Sequence, residues 1–194
     1  MKNPIANINM KNGSKVVIEL RPDIAYNEVC SFISAATKGY FNNHKIQRIV
    51  PGSWIDISYT AFNRKECQYI LPNRCAEESG GIIKEPQAGD VCLGYYSENE
   101  VYGTEFVFPV RNCPDLTGKC PVFGTVIEGM DEIYRLEKVE TYPVPYPPRP
   151  EIEINCPCTP QIIESVDIVL NGNEYPEPEK AEQFDFPENW PVFE

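Results

Sequence analysis

The chain has 194 residues, 42% of them hydrophobic, with a formal net charge of -12 and a pI near 4.6. That is room for one substantial core of ordinary composition, and 29 acidic against 17 basic side chains exclude a nucleic-acid partner, whose phosphates need clustered Lys and Arg. No stretch is long and apolar enough to span a bilayer, and Met1 to Met10 alternates where a signal peptide would be continuously apolar, so no membrane partner and a cytoplasmic location are expected.

Ala6, Ile8 and Met10 alternate with polar residues, Asn12-Gly13 supplies a turn with positive φ, and Val16, Ile18 and Leu20 resume the alternation. This predicts a β-hairpin with one buried face. Asn27 is placed to cap a helix in which Val29, Phe32, Ile33 and Ala36 recur at 3.6-residue spacing and which Gly39 ends. That helix is expected to cover one mouth of a sheet. His44 follows Asn42-Asn43, where a solvated turn is the ordinary expectation.

Two short β-branched runs, Ile46 to Val50 and Trp54 to Ile57, then flank the tight reversal Pro51-Gly52. Arg48 interrupts the first run. A guanidinium among apolar neighbours must find a partner or face a groove, because burying it alone is too costly, and this makes Arg48 the leading candidate for function.

Residues 60 to 88 carry no sustained period and read as a long excursion of the kind that often serves function. Val91 to Tyr95, Phe106 to Val110 and Phe123 to Ile127 read as strands bounded by Gly, Pro or Asn, and Gly129 precedes a helical segment with Met130, Ile133, Tyr134 and Leu136 on one side. A strand-rich order with two helices predicts a closed barrel plugged at its ends, since closure removes exposed edges. Thr141 to Pro150 is proline-dense and is expected to be extended and polyproline-like, part of a connector over 141–161 before a last strand at Ile162 to Leu170.

The expected division is a barrel domain over 1–170 and an acidic, proline-spaced tail over 171–194. The tail carries Tyr175, Phe184, Phe186, Trp190 and Phe193, a density of rings that predicts packing along the barrel. Of the eight cysteines, Cys30 and Cys92 sit in periodic segments as small buried hydrophobes. Cys67, Cys75, Cys113 and Cys120 lack Cys-x2-Cys spacing, and Cys156-Pro157-Cys158 alone offers two ligands. No metal and no disulfide are expected.

The stretch Arg48-Ile49-Val50-Pro51-Gly52-Ser53-Trp54-Ile55-Asp56 resembles the central signature of the cyclophilin family, Phe-His-Arg-x-Ile-Pro-Gly-Phe-Met-Ile-Gln. Further pieces follow in cyclophilin order over roughly residues 4 to 170. Val17 to Pro22 with Asn27 to Lys38 is similar to the family's strand, corner and first helix, and Gly39-Tyr40-Phe41-Asn42 to its Gly-Phe-Tyr-Asp turn. Gly89 to Gly94 resembles Gly-x-Val-Ser-Met-Ala, and Gly103-Thr104-Glu105-Phe106-Val107 stands where the family has Gly-Ser-Gln-Phe-Phe. Leu116 to Gly124 followed by Glu128-Gly129-Met130-Asp131 is similar to Leu-Asp-Gly-Lys-His-x-Val-Phe-Gly and Glu-Gly-Met-Asp.

The resemblance, to a divergent, bacterial-like member, implies a mainly β fold: a closed eight-stranded antiparallel barrel capped by two α-helices, here with a C-terminal extension. It implies peptidyl-prolyl cis-trans isomerisation in protein folding, on proline-containing peptides or unfolded chains, without a cofactor. Arg48 takes the catalytic position. The substrate-binding positions fall on Ser53 and Trp54, where the family has pocket Phe and Met, and on Asp56, Glu105, Val107, Leu116 and Cys120, with Gly94 or Tyr95 lining the groove. Asp115 replaces a tryptophan. Asp56 for glutamine could pair with Arg48 and blunt it. The altered pocket leaves a second reading, a binding module or chaperone that isomerises slowly, and would weaken a cyclosporin-type ligand.

Overall fold

The structure is a computed structural model and describes residues 2–57, 64–146 and 149–181. The hairpin at the start is present as β1, Ile5–Met10, and β2, Lys15–Leu20, with Ala6 opposite Ile18 and Ile8 opposite Val16. The remaining strands of the main sheet are β3 (His44–Ile46), β4 (Arg48–Val50), β5 (Trp54–Asp56), β6 (Ile70–Pro72), β7 (Asp90–Ser97), β8 (Glu100–Pro109) and β9 (Val122–Glu128), completed by β12 (Gln161–Val169). Between the last two, β10 (Thr141–Tyr146) and β11 (Arg149–Pro157) form a separate two-stranded sheet.

Pairing runs β3-β12-β1-β2-β9-β7-β8-β5-β4, and the two ends of that path, β3 and β4, are neighbours in sequence through Gln47 alone. One bent strand therefore closes the ring. β5 and β6 share a single edge of β8, pairing with residues 107–109 and 100–102 respectively. With β3 and β4 taken as one stave and β5 and β6 as another, the antiparallel barrel has the eight staves expected.

The barrel is filled by Phe32, Phe41, Phe106, Phe108 and Phe123 with Ile8, Ile18, Ile49 and Ile55. Phe32 enters from α1, Tyr26–Thr37, and its ring lies 5.2 Å from both Phe106 and Phe123 and 5.5 Å from Phe41. α2, Cys75–Glu78, is a single turn that adds a third helix to the two expected, and α3, Met130–Glu137, packs on β2, β4 and β5. Gly129 starts α3 at φ +89, where a Cβ would collide with the Lys15 carbonyl.

Four expectations change. Asn27 does not cap α1: the cap position is Ala25, and the Glu78 carboxylate accepts from the amides of Tyr26 at 2.6 Å and Asn27 at 3.4 Å. A carboxylate at a helix N-terminus satisfies both open amides and the dipole, wherever in the chain it comes from. His44 is not solvated. The turn at Asn43, φ +55, delivers it inward as the first residue of β3, and burial pushes its pKa down to about 4 against a hydrogen bond to the Ile57 backbone.

The connector is extended but paired, with Tyr142 opposite Cys156 and Val144 opposite Ile154. Pro143 and Pro145 stand opposite Asn155 and Glu153 in the same register, and in a two-stranded sheet both strands are edges, where a proline's missing amide is tolerated. β11 packs beside β4. The fourth change is to the excursion, which is partly regular: Lys65–Cys67 is a 3-10 turn, and Tyr69 and Ile70 are core.

The tail residues up to 181 cross α1. Glu177 takes Lys38 at 2.7 Å and Ser34 at 2.9 Å, and Glu179 takes Arg74 at 2.6 Å. Asn27 exchanges two hydrogen bonds with the Glu179 backbone, and the Ala181 amide reaches the Ile70 carbonyl at 2.9 Å. Tyr175 packs against the core; Phe184, Phe186, Trp190 and Phe193 lie outside the described residues. Among the described residues no helix is long and apolar enough to cross a membrane.

Candidate functional site

The β4–β5 hairpin is set by Pro51-Gly52, with Gly52 at φ +68, and its register puts Arg48 opposite Asp56. The line continues across the sheet: Asp56 lies opposite Val107 on β8, Val107 opposite Cys92 on β7, and Cys92 opposite Val122 on β9. Directly opposed residues share a face. Their neighbours Ile49, Ile55, Phe108, Leu93 and Phe123 fill the barrel, so this row of five faces outward.

Two loops cover the apolar end of the row. Trp54, two residues before Asp56 and on the same face, packs with Leu116 and Ile24 on a cluster of Cys92, Val107, Cys120 and Val122. Leu116 ends the 3-10 turn Pro114–Leu116, and the Cys120 amide bonds back to the Leu116 carbonyl at 2.9 Å, which folds the loop over Val107. Burial pushes the Cys120 thiol up to about 12, so it remains a neutral, small hydrophobe against the Tyr95 backbone.

The other end of the row is charged. Arg48 Nη1 lies 3.2 Å from Asp56 Oδ2, and the two side chains are 28% and 1% exposed. The carboxylate is buried, whereas the guanidinium is partly exposed at the surface. Glu105, two residues before Val107, lies across Gly94, where a Cβ would come within 2.7 Å of its Oε1.

The structure thus gathers Arg48, Trp54, Asp56, Gly94, Glu105, Val107, Leu116 and Cys120 on one face. The ambiguity between Gly94 and Tyr95 divides: Gly94 is on that face under Glu105, whereas Tyr95 meets Cys120 through its backbone and leaves its ring 44% exposed. Ser53 stands apart. Its hydroxyl bonds Arg111 Nη2 at 3.2 Å, and Arg111 Nε also bonds the Gly52 carbonyl, so an arginine unmarked in the sequence pins the turn. Cys92 and Val122 were likewise unmarked, since only strand register reveals them as floor of the cluster, and Ile24 reaches it from the turn before α1. Among the described residues no group of three or more His, Cys, Asp or Glu is placed to hold a metal.

The sequence model of the family described as cyclophilin type peptidyl-prolyl cis-trans isomerase/CLD matches residues 5–156. The chain belongs to this family. The barrel agrees: a cyclophilin type peptidyl-prolyl cis-trans isomerase of Cryptosporidium parvum superposes with a TM-score of 0.68 at 16% identity, covering 86% of this chain and 98% of that one. The same protein in the presence of the dipeptide Ala-Pro gives 0.66 at 18%, over 87% and 99%. A peptidyl-prolyl cis-trans isomerase-like 2 of Cryptococcus neoformans is 27% identical over 128 residues, 65% of this chain but 22% of that relative's length. The chain thus spans about a fifth of that cyclophilin relative.

Proposed function

We propose that this cyclophilin isomerises X-Pro peptide bonds of protein chains and so assists their folding. The observation that carries the reading is the row itself: a partly exposed guanidinium, aimed by Asp56, at one end and, two strands away, an apolar cluster walled by Trp54 and Leu116. Rotation about an X-Pro bond faces a barrier of roughly 18–20 kcal/mol because amide resonance is lost on the way. No bond needs to be made or broken. An apolar wall that holds the proline ring, and a fixed donor that meets the prolyl nitrogen as it becomes pyramidal, favour the twisted state over both planar ones.

Arg48 is the donor in this reading, since a guanidinium is always charged and presents several N–H groups. Trp54, Val107, Leu116 and Cys120 hold the ring. Glu105 and Gly94 border the neighbouring stretch of bound chain, Asp56 aims the arginine, and Ser53 with Tyr95 forms the rim. Eight cysteines held as free thiols suit a reducing compartment such as the cytoplasm. A cyclosporin-type ligand would meet the same altered walls and bind weakly.

Exchange spectroscopy on a proline peptide, run on the wild type and Arg48→Ala, tests the assignment. Exchange is expected to rise above the uncatalysed rate and to fall by an order of magnitude or more in the variant, as when one oriented donor is lost. Equal rates in the two proteins overturn it. A second reading, a proline-peptide-binding module with slow catalysis, is favoured by the Arg48–Asp56 ion pair, which offsets the guanidinium's charge. Peptide binding without exchange selects that reading.

A further inference from the structure

α2 docks on the start of α1 at both of its ends. Glu78, its last residue, accepts from the Tyr26 and Asn27 amides, and Cys75, its first, donates Sγ–H to Glu28 Oε1 at 3.4 Å. Glu28 is fully buried, and its other oxygen, Oε2, has no hydrogen-bond partner among the described residues. An ionised carboxyl there would hold a charge out of water on an unsatisfied atom, a cost that the neutral form largely avoids.

Among the described residues no cation is paired with Glu28. The ionisable groups packed around it and Cys75 are Glu78 on α2, Tyr26 and Cys30 on α1, and Cys92 on β7. Arg74, at the head of α2 near Glu77, is engaged by the tail's Glu179 at 2.6 Å, and Lys84, near Cys92, by Asp90. The turn has little else to hold it. Four residues are too few for a helix that is stable alone, and the Arg74 pair is exposed. Asn73, tied to the Gly118 and Asn99 carbonyls, and Gly80-Gly81, both at positive φ, bracket the turn as hinges.

We propose that Glu28 is a proton-operated latch for α2: with its carboxyl neutral the turn stays docked on α1, and loss of that proton to solvent swings α2 out between Asn73 and Gly80-Gly81. The opening lets the carboxylate into water and separates it from Glu78. Cys75 and Ala76 leave with the turn. Together with Ile24 they line the cavity past Cys120, so the apolar surface there widens as pH rises. The latch stands whether or not the protein isomerises proline bonds, because it needs only α1, α2 and a titrating carboxyl.

Amide hydrogen exchange on the full chain tests this. The first amides of a helix have no intrahelical partner, so the Tyr26 amide is protected by Glu78 and reports the docking of α2 directly. Burial, with Glu78 adding to it, pushes the Glu28 pKa up to about 7 when α2 is docked, against an ordinary 4.5 in water. The open fraction is therefore expected to rise about tenfold between pH 6 and 8. Tyr26 protection, corrected for the intrinsic exchange rate, should fall by that factor in the wild type and stay flat in Glu28→Gln, which keeps the shape and cannot ionise. Maleimide labelling of Cys75, a thiol that burial keeps neutral while α2 is docked, is the second readout. Over the same interval its rate should rise about tenfold more than that of a free thiol. The wild-type series stands without the variant: if either readout follows only its intrinsic pH dependence, the latch is refuted and Glu28 acts on global unfolding alone. A fall in Tyr26 protection that persists in Glu28→Gln assigns the switch to another group and refutes it equally.

Discussion

Asp56 holds Arg48 by a hydrogen bond of 3.2 Å across the β4–β5 pair, with the carboxylate 1% exposed and the guanidinium 28% exposed. The buried partner fixes the direction of the open one. It also sets a negative charge beside the donor, where the family's glutamine would be neutral. Asp56→Asn keeps the shape and the acceptor oxygen but removes the charge. It is expected to raise kcat for a proline peptide several-fold with little change in KM, measured by exchange spectroscopy. A fall to the level of Arg48→Ala would show instead that the carboxylate is needed to aim the guanidinium.

Arg48→Ala should also cost stability, because it takes the Arg48 ion pair away from a carboxylate at 1% exposure. Breaking a buried pair typically costs about 3–5 kcal/mol, and roughly 2 kcal/mol is expected here because one partner is open to water. Adding Asp56→Asn to Arg48→Ala should restore most of that loss without restoring exchange. Urea unfolding of the three variants reads the difference, and additive losses in the double variant would contradict the coupling.

Trp54→Ala removes the indole from the Val107–Cys120 cluster. A half-buried ring of this size should cost about 2 kcal/mol in unfolding free energy, below the fully buried range. The affinity for proline peptides should fall with it, by about tenfold in titration. Lost stability with unchanged affinity would make the indole a piece of core and move the proline ring elsewhere.

β1, β2, β4, β5, β7, β9, β12 and the end of β8, with both long helices, were legible because alternation, β-branched runs and 3.6-residue spacing report one-sided burial directly, whereas β6, β10 and β11 lie in segments that read as irregular or polyproline-like. The closure was not: nothing local says that Gln47 joins the two ends of a ring. Nor could a helix be expected to draw its cap from Glu78, which lies far along the chain from Tyr26 and Asn27. His44 was misread because the Asn42-Asn43 turn was taken to include it, when one residue of left-handed backbone at Asn43 already starts β3. Within the site, Arg48 stood out as a charge in an apolar run. Cys92 and Val122 could not, because their place is fixed by register across β8, β7 and β9, and that register shifts between Val91 and Cys92.

The tail is proposed to be part of the fold up to residue 181. Its exposed ion pairs with Lys38 and Arg74 contribute little each. The double hydrogen bond of Asn27 to the Glu179 backbone and the packing of Tyr175 contribute more. A chain ending at Leu170 should lose about 2 kcal/mol and roughly 4–8 °C in Tm by calorimetry. An unchanged Tm would mark the tail as an appendage.

Two buried titratable groups should give opposite pH dependences. Glu28, fully buried with Oε2 unpartnered and Cys75 Sγ 3.4 Å from Oε1, has its pKa pushed up to about 7 by burial, with the nearby Glu78 carboxylate adding to the rise. A raised carboxyl contributes most below its ordinary value of 4.5, and that contribution is lost as pH rises to about 7. His44, pushed down to about 4 by burial, contributes fully above 6.5 and loses it as pH falls to about 4. Each shift corresponds to roughly 3 kcal/mol, and between about 4.5 and 6.5 the two slopes oppose each other. Glu28→Gln should therefore gain on the wild type as pH is raised from 5 to 7.5, and His44→Gln should gain on it as pH is lowered from 7 to 4.5. Chemical denaturation across that range measures both, and a stability difference for Glu28→Gln that is independent of pH would show that Glu28 ionises at its ordinary value.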